Sequence, residues 1–263
     1  MIINCKEIST NIKKNLIIPK NIGLVIIQVG NDEGSNFYVK SKVNDCADMG
    51  IVCYLIKKDQ STTEELVELI KNLNEDSDVT GIIVQLPLPA NINADKVTNT
   101  ITLEKDVDGF RLGSPYTPCT PKGIMNVLHN YLDKGDGLSA TLIGRGKTVG
   151  KPLRDLLIDD NYTLTVCHSK TSKPDLEKVI KKADVVISCV GHPNLITKNM
   201  VHKGQLIIDV GISRVDGKQV GDVNKEAWNI AWCTPWVGGI GLMTRTALLE
   251  NLVLSAEINN RQE

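Results

Sequence analysis

Short, continuously apolar runs alternate along this chain with stretches whose apolar residues recur every three to four positions. "GLVIIQVG" (23–30) has the first pattern and is bounded by glycine, which predicts a buried strand. "SNFYVKSKVNDCADMG" (35–50) predicts a helix ending at Gly50. "IVCYLI" (51–56) predicts a second strand. Ser61-Thr-Thr-Glu64 has capping-box spacing and opens a helix with Leu66, Leu69, Ile70 and Leu73 on one stripe. "TGIIVQL" (80–86) is a third strand, stopped by Pro87 and Pro89. After an irregular stretch from "KDVDGF" (105–110), Thr120-Pro121 reads as an N-cap and first-turn proline of a helix linking two lobes.

A second set of strand–helix units follows. Strands are expected at 140–144, 163–168, 184–191 and 205–212, with helices over "TVGKPLRDLLIDD" and "DLEKVIKKA". The end, "MTRTALLENLVLSAEI" (243–258), predicts a long amphipathic helix. Repeated β-α-β units imply parallel sheets covered by helices. The expected fold class is therefore α/β, with two α/β lobes flanking a cleft. Residues 1–120, completed by the C-terminal helix 243–263, form one lobe. Residues 121–242 form a second, Rossmann-like, dinucleotide-binding lobe.

Composition narrows the function classes. The 263 residues suffice for two modest cores, and with aromatics at only 4% those cores must be aliphatic. A net charge of −1 speaks against nucleic-acid and membrane-surface partners. The seven cysteines are dispersed, without Cys-x-x-Cys spacing or neighbouring histidines, so no metal site is expected and a reducing, cytoplasmic setting is. No run has the length of a secretory core or a bilayer span.

The second lobe carries the nucleotide signals. Gly144-Arg-Gly-Lys-Thr-Val-Gly150 joins an expected strand to an expected helix, where Gly144 and Gly146 would let the backbone approach a pyrophosphate. The spacing is G-x-G-x-x-x-G, and a plain glycine turn is the alternative. The next strand ends in "CHSK", where an NAD site usually places an acid. Ser169, Lys170 and Arg145 instead suit a 2′-phosphate, which points to NADP over NAD. A solvated Lys170 is the alternative. Gly191 and Ile212 close later strand ends that commonly line a cofactor crevice. Gly239 sits in "TPWVGGIGLMT", just before the last helix.

In the first lobe, Tyr38 and Lys42 share a helix face at i and i+4, with Ser35 one turn earlier. A surface pair with a snorkelling lysine is the alternative. A short-chain-dehydrogenase reading of Tyr-x-x-x-Lys fails, because in that family the pair follows the dinucleotide strands within one domain. Gln85 ends an apolar strand with an amide donor and acceptor. Asp108, in "KDVDGF", is either a functional carboxylate or a turn former before Gly109.

"VGNDEGSNFYVKSK", "VQLPLP", "KDVDGF", "PCTPKG", "GRGKTVGKP", "CHSKT" and "TPWVGGIGLMT" occur in order over nearly the whole chain. Together they resemble the bifunctional methylenetetrahydrofolate dehydrogenase/methenyltetrahydrofolate cyclohydrolase family. The resemblance implies that Lys42 is the catalytic group, with Gln85 as its partner. It implies that Tyr38 packs on the folate and Asp108 binds the pterin. It further implies NADP as cofactor, no metal, and a homodimer. Two segments depart from the family pattern: Gly146 stands where serine is usual, and Trp236, Val237 and Leu242 alter a proline-rich loop. A chain with one activity only, or a non-catalytic folate- or nucleotide-binding protein, is the competing expectation.

Overall fold

The computed structural model describes residues 1–132 and 135–260. In chain order the elements are α1 (Cys5–Asn15), β1 (Gly23–Val29), α2 (Glu33–Asp48), β2 (Val52–Lys58), α3 (Thr63–Glu75), β3 (Gly81–Val84), α4 (Ala94–Thr98) and α5 (Cys119–Tyr131). There follow β4 (Ser139–Ile143), α6 (Gly150–Asp159), β5 (Thr163–Cys167), α7 (Lys173–Ile180), β6 (Val185–Ser188), β7 (Leu206–Asp209), β8 (Ile212–Val215), β9 (Lys218–Gly221), β10 (Trp232–Cys233) and α8 (Ile240–Asn260).

The chain forms two compact units. One holds residues 13–119 and the stretch from Ala247 onward. Its sheet has the order β2-β1-β3, parallel throughout. β1 and β3 are buried along their whole length, as expected of parallel strands covered on both faces. Leu24, Ile26 and Ile83 face a core shared with α2 and α8, while Val25, Ile27 and Ile82 face one shared with α3. The strand order reverses at β1, so the carboxyl ends of β1 and β3 flank a topological switch point.

The other unit holds residues 1–12 and 120–246, with a parallel sheet in the order β10-β7-β6-β4-β5. Its switch point lies between β4 and β6. The sequence reading assigned residues 1–12 to the first lobe; in the structure they pack within this second unit. The reason is backbone pairing: Ile3 donates to the Cys233 carbonyl at 2.9 Å, Cys233 donates to that of Met1 at 3.0 Å, and the terminal ammonium reaches Ala231 O.

Several local expectations shift. The capping box sits one residue later than Ser61–Glu64. Thr62 Oγ1 accepts from Glu65 N, and Glu65 Oε2 accepts from Thr62 N. Helix α5 begins at Cys119, so Thr120 is inside the helix rather than at its cap. Helix α8 is not amphipathic: Thr246, Asn251 and Ser255 are as fully buried as Leu252. Each of these polar groups is hydrogen-bonded, which is what makes their burial tolerable. Thr246 Oγ1 pairs with Ser9 Oγ, Ser255 Oγ donates to Thr80 O and Glu104 O, and Asn251 Nδ2 donates to Val107 O and Thr117 O. The antiparallel hairpin β8–β9 and the two-residue β10 were not expected.

Candidate active site

Helix α2 carries the first three candidate residues. Asp32, in extended backbone, caps it by accepting from Ser35 N at 2.7 Å, so the helix starts two residues before the apolar pattern does. Ser35, Val39, Lys42 and Cys46 are its buried stripe. The Ser35 hydroxyl is buried with no hydrogen-bond partner, an orphan of the kind that marks a ligand or water site. Tyr38 is half-buried and meets the exposed Phe37 edge to face, with ring centroids 6.1 Å apart.

Lys42 is buried, only 9% exposed. A buried ammonium requires partners, and Lys42 Nζ donates to Gln85 Oε1 at 3.1 Å. Gln85 stands just past β3, its N–H continuing the ladder to Ile27 O at 2.8 Å. Its side-chain NH₂ donates to Leu86 O at 2.8 Å. That bond turns the amide oxygen to the lysine, since the flipped amide would oppose two donors. The acceptor is a neutral amide, so the pair is a hydrogen bond rather than an ion pair.

Asp108 lies in the same unit, on a turn from Asp106 to Gly109 closed by Gly109 N to Asp106 O at 2.8 Å. Gly109 has φ +71°, and a Cβ there would sit 2.7 Å from Tyr116 O. Asp108 is half-buried, and its carbonyl accepts from Cys119 N. Asp106 was passed over in the sequence, yet it holds the turn. It is buried, it accepts from Arg111 N at 2.9 Å, and burial pushes its carboxyl up to about 6. Only its position two before Asp108 could have signalled it. Asn251 of α8 pins the carbonyls of Val107 and Thr117 on either side of Asp108. A groove of about 570 Å³ in this unit, lined by Asp59, Gln60 and Glu65 among others, contains none of the candidate residues.

The nucleotide candidates lie in the other unit. Gly144 follows β4 with φ +119°, and a Cβ there would meet Cys189 Sγ at 2.6 Å. Gly150 opens α6 against the Gly144 carbonyl, 2.5 Å from its would-be Cβ. These two glycines let the loop fold back between the carboxyl ends of β4 and β6. Gly146 differs: its Cβ direction is open and its φ is ordinary. Arg145 is exposed at the loop tip. Ser169 and Lys170 are exposed on the turn after β5, which His168 N closes onto Thr171 Oγ1 at 3.0 Å. That turn, His168-Ser-Lys-Thr171, carries no acid.

Gly191, in a loop, and Ile212, at the start of β8, adjoin two buried carboxylates that sequence reading had not weighed. Asp222 accepts from Ser188 Oγ at 2.6 Å, Val190 N at 3.0 Å and His192 N at 2.7 Å, bracketing Gly191. Asp209 accepts from Asp222 N, Val223 N and the Trp236 indole at 3.1 Å. Burial, opposed by those donors, pushes the Asp209 carboxyl up to about 7. Gly211 and Gly221 are required there, because a Cβ on either would lie about 2.1 Å from a carboxylate oxygen. Ile212 starts β8 opposite Gly221 and is exposed. Trp236 is anchored rather than loose: it also donates to Val223 O and meets Trp228 edge to face, and Lys225 Nζ lies 4.6 Å from its ring centre. Gly239 has its Cβ direction filled by Pro235 O, and its carbonyl accepts from Leu242 N and Met243 N at the start of α8.

A dinucleotide-type glycine loop at a parallel-sheet switch point, together with a buried lysine–glutamine pair in a separate α/β unit, defines a two-unit nucleotide-dependent enzyme class with a polar site outside its nucleotide fold. Comparison with known proteins is specific. Residues 3–108 match the catalytic-domain model of tetrahydrofolate dehydrogenase/cyclohydrolase, and residues 118–260 match the NAD(P)-binding-domain model. The bifunctional protein FolD of Francisella tularensis subsp. novicida is 44% identical over 286 aligned positions, covering 99% of this chain and 100% of that protein. The crystal structure of the bifunctional FolD dehydrogenase/cyclohydrolase from Campylobacter jejuni is 37% identical with a TM-score of 0.91, covering 98% of this chain and 99% of that one. The Trypanosoma brucei FolD structure, complexed with NADP and an inhibitor, is 28% identical with a TM-score of 0.87, covering 98% and 96%. The chain belongs to the tetrahydrofolate dehydrogenase/cyclohydrolase family. Among the described residues no helix is long and apolar enough to cross a membrane.

Proposed function

We propose that this protein oxidises 5,10-methylenetetrahydrofolate to the 5,10-methenyl compound with NADP and hydrolyses that product to 10-formyltetrahydrofolate. The carrying observation is the Lys42–Gln85 hydrogen bond in the unit that matches the family's catalytic domain. Bound NADP supplies the hydride acceptor. The chain's own residues hold and polarise the folate. Tyr38 offers an aromatic face to the flat p-aminobenzoyl part. Asp108 accepts from the pterin amino group and adjacent ring N–H. The orphan Ser35 hydroxyl, two turns from Lys42 on one helix face, gives the substrate a further polar contact.

In the hydrolytic step, water adds to the electrophilic methenyl carbon and the ring opens. Lys42, oriented by Gln85, moves the protons this requires. Gln85 is a positioning residue: its amide oxygen fixes where the ammonium points. On the nucleotide side, Gly144 and Gly150 admit the pyrophosphate. Arg145 and Ser169, with no acid on the β5 turn, support NADP over NAD. The reading includes a cytoplasmic homodimer, the assembly that the family resemblance implies; light scattering on the purified chain tests it.

The deciding experiment is Lys42→Met, which keeps the buried stem and removes the proton carrier. Hydrolysis of the methenyl compound should fall by about 10²–10⁴, with part of the NADP-dependent oxidation retained. Wild-type hydrolysis in that variant would overturn the assignment. Running the oxidation with NADP and NAD side by side tests the cofactor.

A further inference from the structure

Two thiols lie just beyond Lys42. Cys46 is four residues on, on the same face of α2, and Cys53 is in β2. The helix ends two residues later, at Asp48, and the Cys46 carbonyl accepts from Met49 N at 3.1 Å and Ile51 N at 2.9 Å. Gly50, with φ +70°, then reverses the chain. β2 runs back beside the helix it has just left. Its alternation turns Ile51 and Cys53 toward α2, and both pack in the core cluster that contains Cys46. The two side chains pack in that cluster close enough for each thiol to perturb the other. Both are free, Cys46 fully buried and Cys53 half-buried on the edge strand.

We propose that Cys46 and Cys53 form a reversible dithiol–disulfide site, oxidised by hydroperoxides, that ties the end of α2 to β2 one helical turn from Lys42. The two sulfurs have distinct roles. The neighbouring Cys46 thiol and the positive charge of Lys42 outweigh burial, so Cys53 is held below the ordinary thiol range and is the nucleophile. Cys46 is held above that range by the neighbouring Cys53, by burial and by Asp45, with Lys13 opposing, so it stays protonated as the resolving group. Selectivity follows from contrast: burial pushes Cys5, Cys189 and Cys233 up to about 12, and raises Cys167 as well.

The chemistry balances. The Cys53 thiolate attacks one peroxide oxygen; an S–O bond forms, the O–O bond breaks, and the departing alkoxide or hydroxide takes up a proton. The Cys46 sulfur, losing its proton, then attacks Cys53; the S–S bond forms, the S–O bond breaks, and the released hydroxide takes the proton as water. Two thiols are oxidised to one disulfide, and one peroxide is reduced.

Hydrogen peroxide at near-stoichiometric dose on the folded full-length chain, followed by alkylation and peptide mapping, tests this. The expected result is a linked Cys46–Cys53 peptide, an intact mass lower by two hydrogens, and reversal by dithiothreitol. Cys46→Ser should instead leave a Cys53 sulfenic acid that dimedone captures, and Cys53→Ser should leave Cys46 unoxidised. Cys46 and Cys53 both still alkylated after other cysteines have been oxidised would overturn the proposal. So would a link that forms only in urea. The wild-type mapping decides even if a serine variant fails to fold.

Discussion

At the level of single residues, two departures from the family pattern have opposite consequences. Gly146 fills no steric role, since its Cβ direction is open. Gly146→Ser should therefore leave thermal stability unchanged. If its hydroxyl reaches a phosphate oxygen, the added charge-assisted bond should lower KM for NADP roughly tenfold, equivalent to about 1.4 kcal/mol. Steady-state kinetics and a thermal melt on one preparation check both parts. Trp236 is the reverse case, because its indole N–H is one of three donors on the buried Asp209. Trp236→Phe keeps the ring packing but leaves that carboxylate short of a donor, which should cost about 1–3 kcal/mol. A denaturant midpoint within error of wild type would contradict that. Neither outcome was legible in the sequence. A glycine in a glycine-rich loop looks functional whatever surrounds it, and Trp236 meets Asp209 and Val223 only through the fold. Lys42 and Gln85 were legible as candidates through helix spacing and strand-end polarity. Their bond is a tertiary fact, joining residues 43 positions apart.

At the level of elements, the strands were readable because fully covered parallel strands are continuously apolar, as β1, β3, β6 and β7 are. The β8–β9 hairpin was missed although Asp216-Gly217, both at positive φ, is a known hairpin signal. β8 is mostly exposed, and neither strand carries an apolar run to draw attention. Helix α8 was misjudged because local periodicity cannot reveal that Asn251 and Ser255 find backbone partners far along the chain. That helix now separates two kinds of element damage. Asn251→Ala strips the carbonyls of Val107 and Thr117 of a shared buried donor, costing about 2–3 kcal/mol, and frees the Asp108 turn. Thr62→Ala removes only the α3 cap, costing about 1 kcal/mol. Both variants should melt earlier, but only Asn251→Ala should also raise KM for the folate. Equal KM values in the two would detach α8 from substrate binding.

For the molecule as a whole, the two units share an electrostatic signature: each keeps a buried aspartate whose carboxyl is raised, Asp106 to about 6 and Asp209 to about 7. In the unfolded chain both titrate near ~3.9. Between roughly pH 4 and 7 the native state therefore binds more protons than the unfolded state, and stability falls as pH rises through that window. Exposed groups act the other way at lower pH: Glu64, held down by Lys96, and Glu65, held down by Thr62 N, lose their favourable contacts as they protonate. Those pairs are screened and contribute little. The net expectation is a chain more resistant to heat at pH 5 than at pH 8. Because one raised carboxyl sits in each unit, the shift should appear in both transitions if the units melt separately. Asp209→Asn should melt earlier at every pH, because one of the two acceptor oxygens becomes an NH₂ that faces N–H donors. It should also show a shallower decline from pH 5 to pH 8, because one of the two titrating groups is gone. Calorimetry across that range at fixed ionic strength reads both effects. A midpoint that climbs from pH 5 to pH 8 would mean the donors around Asp209 outweigh its burial, reversing the sign.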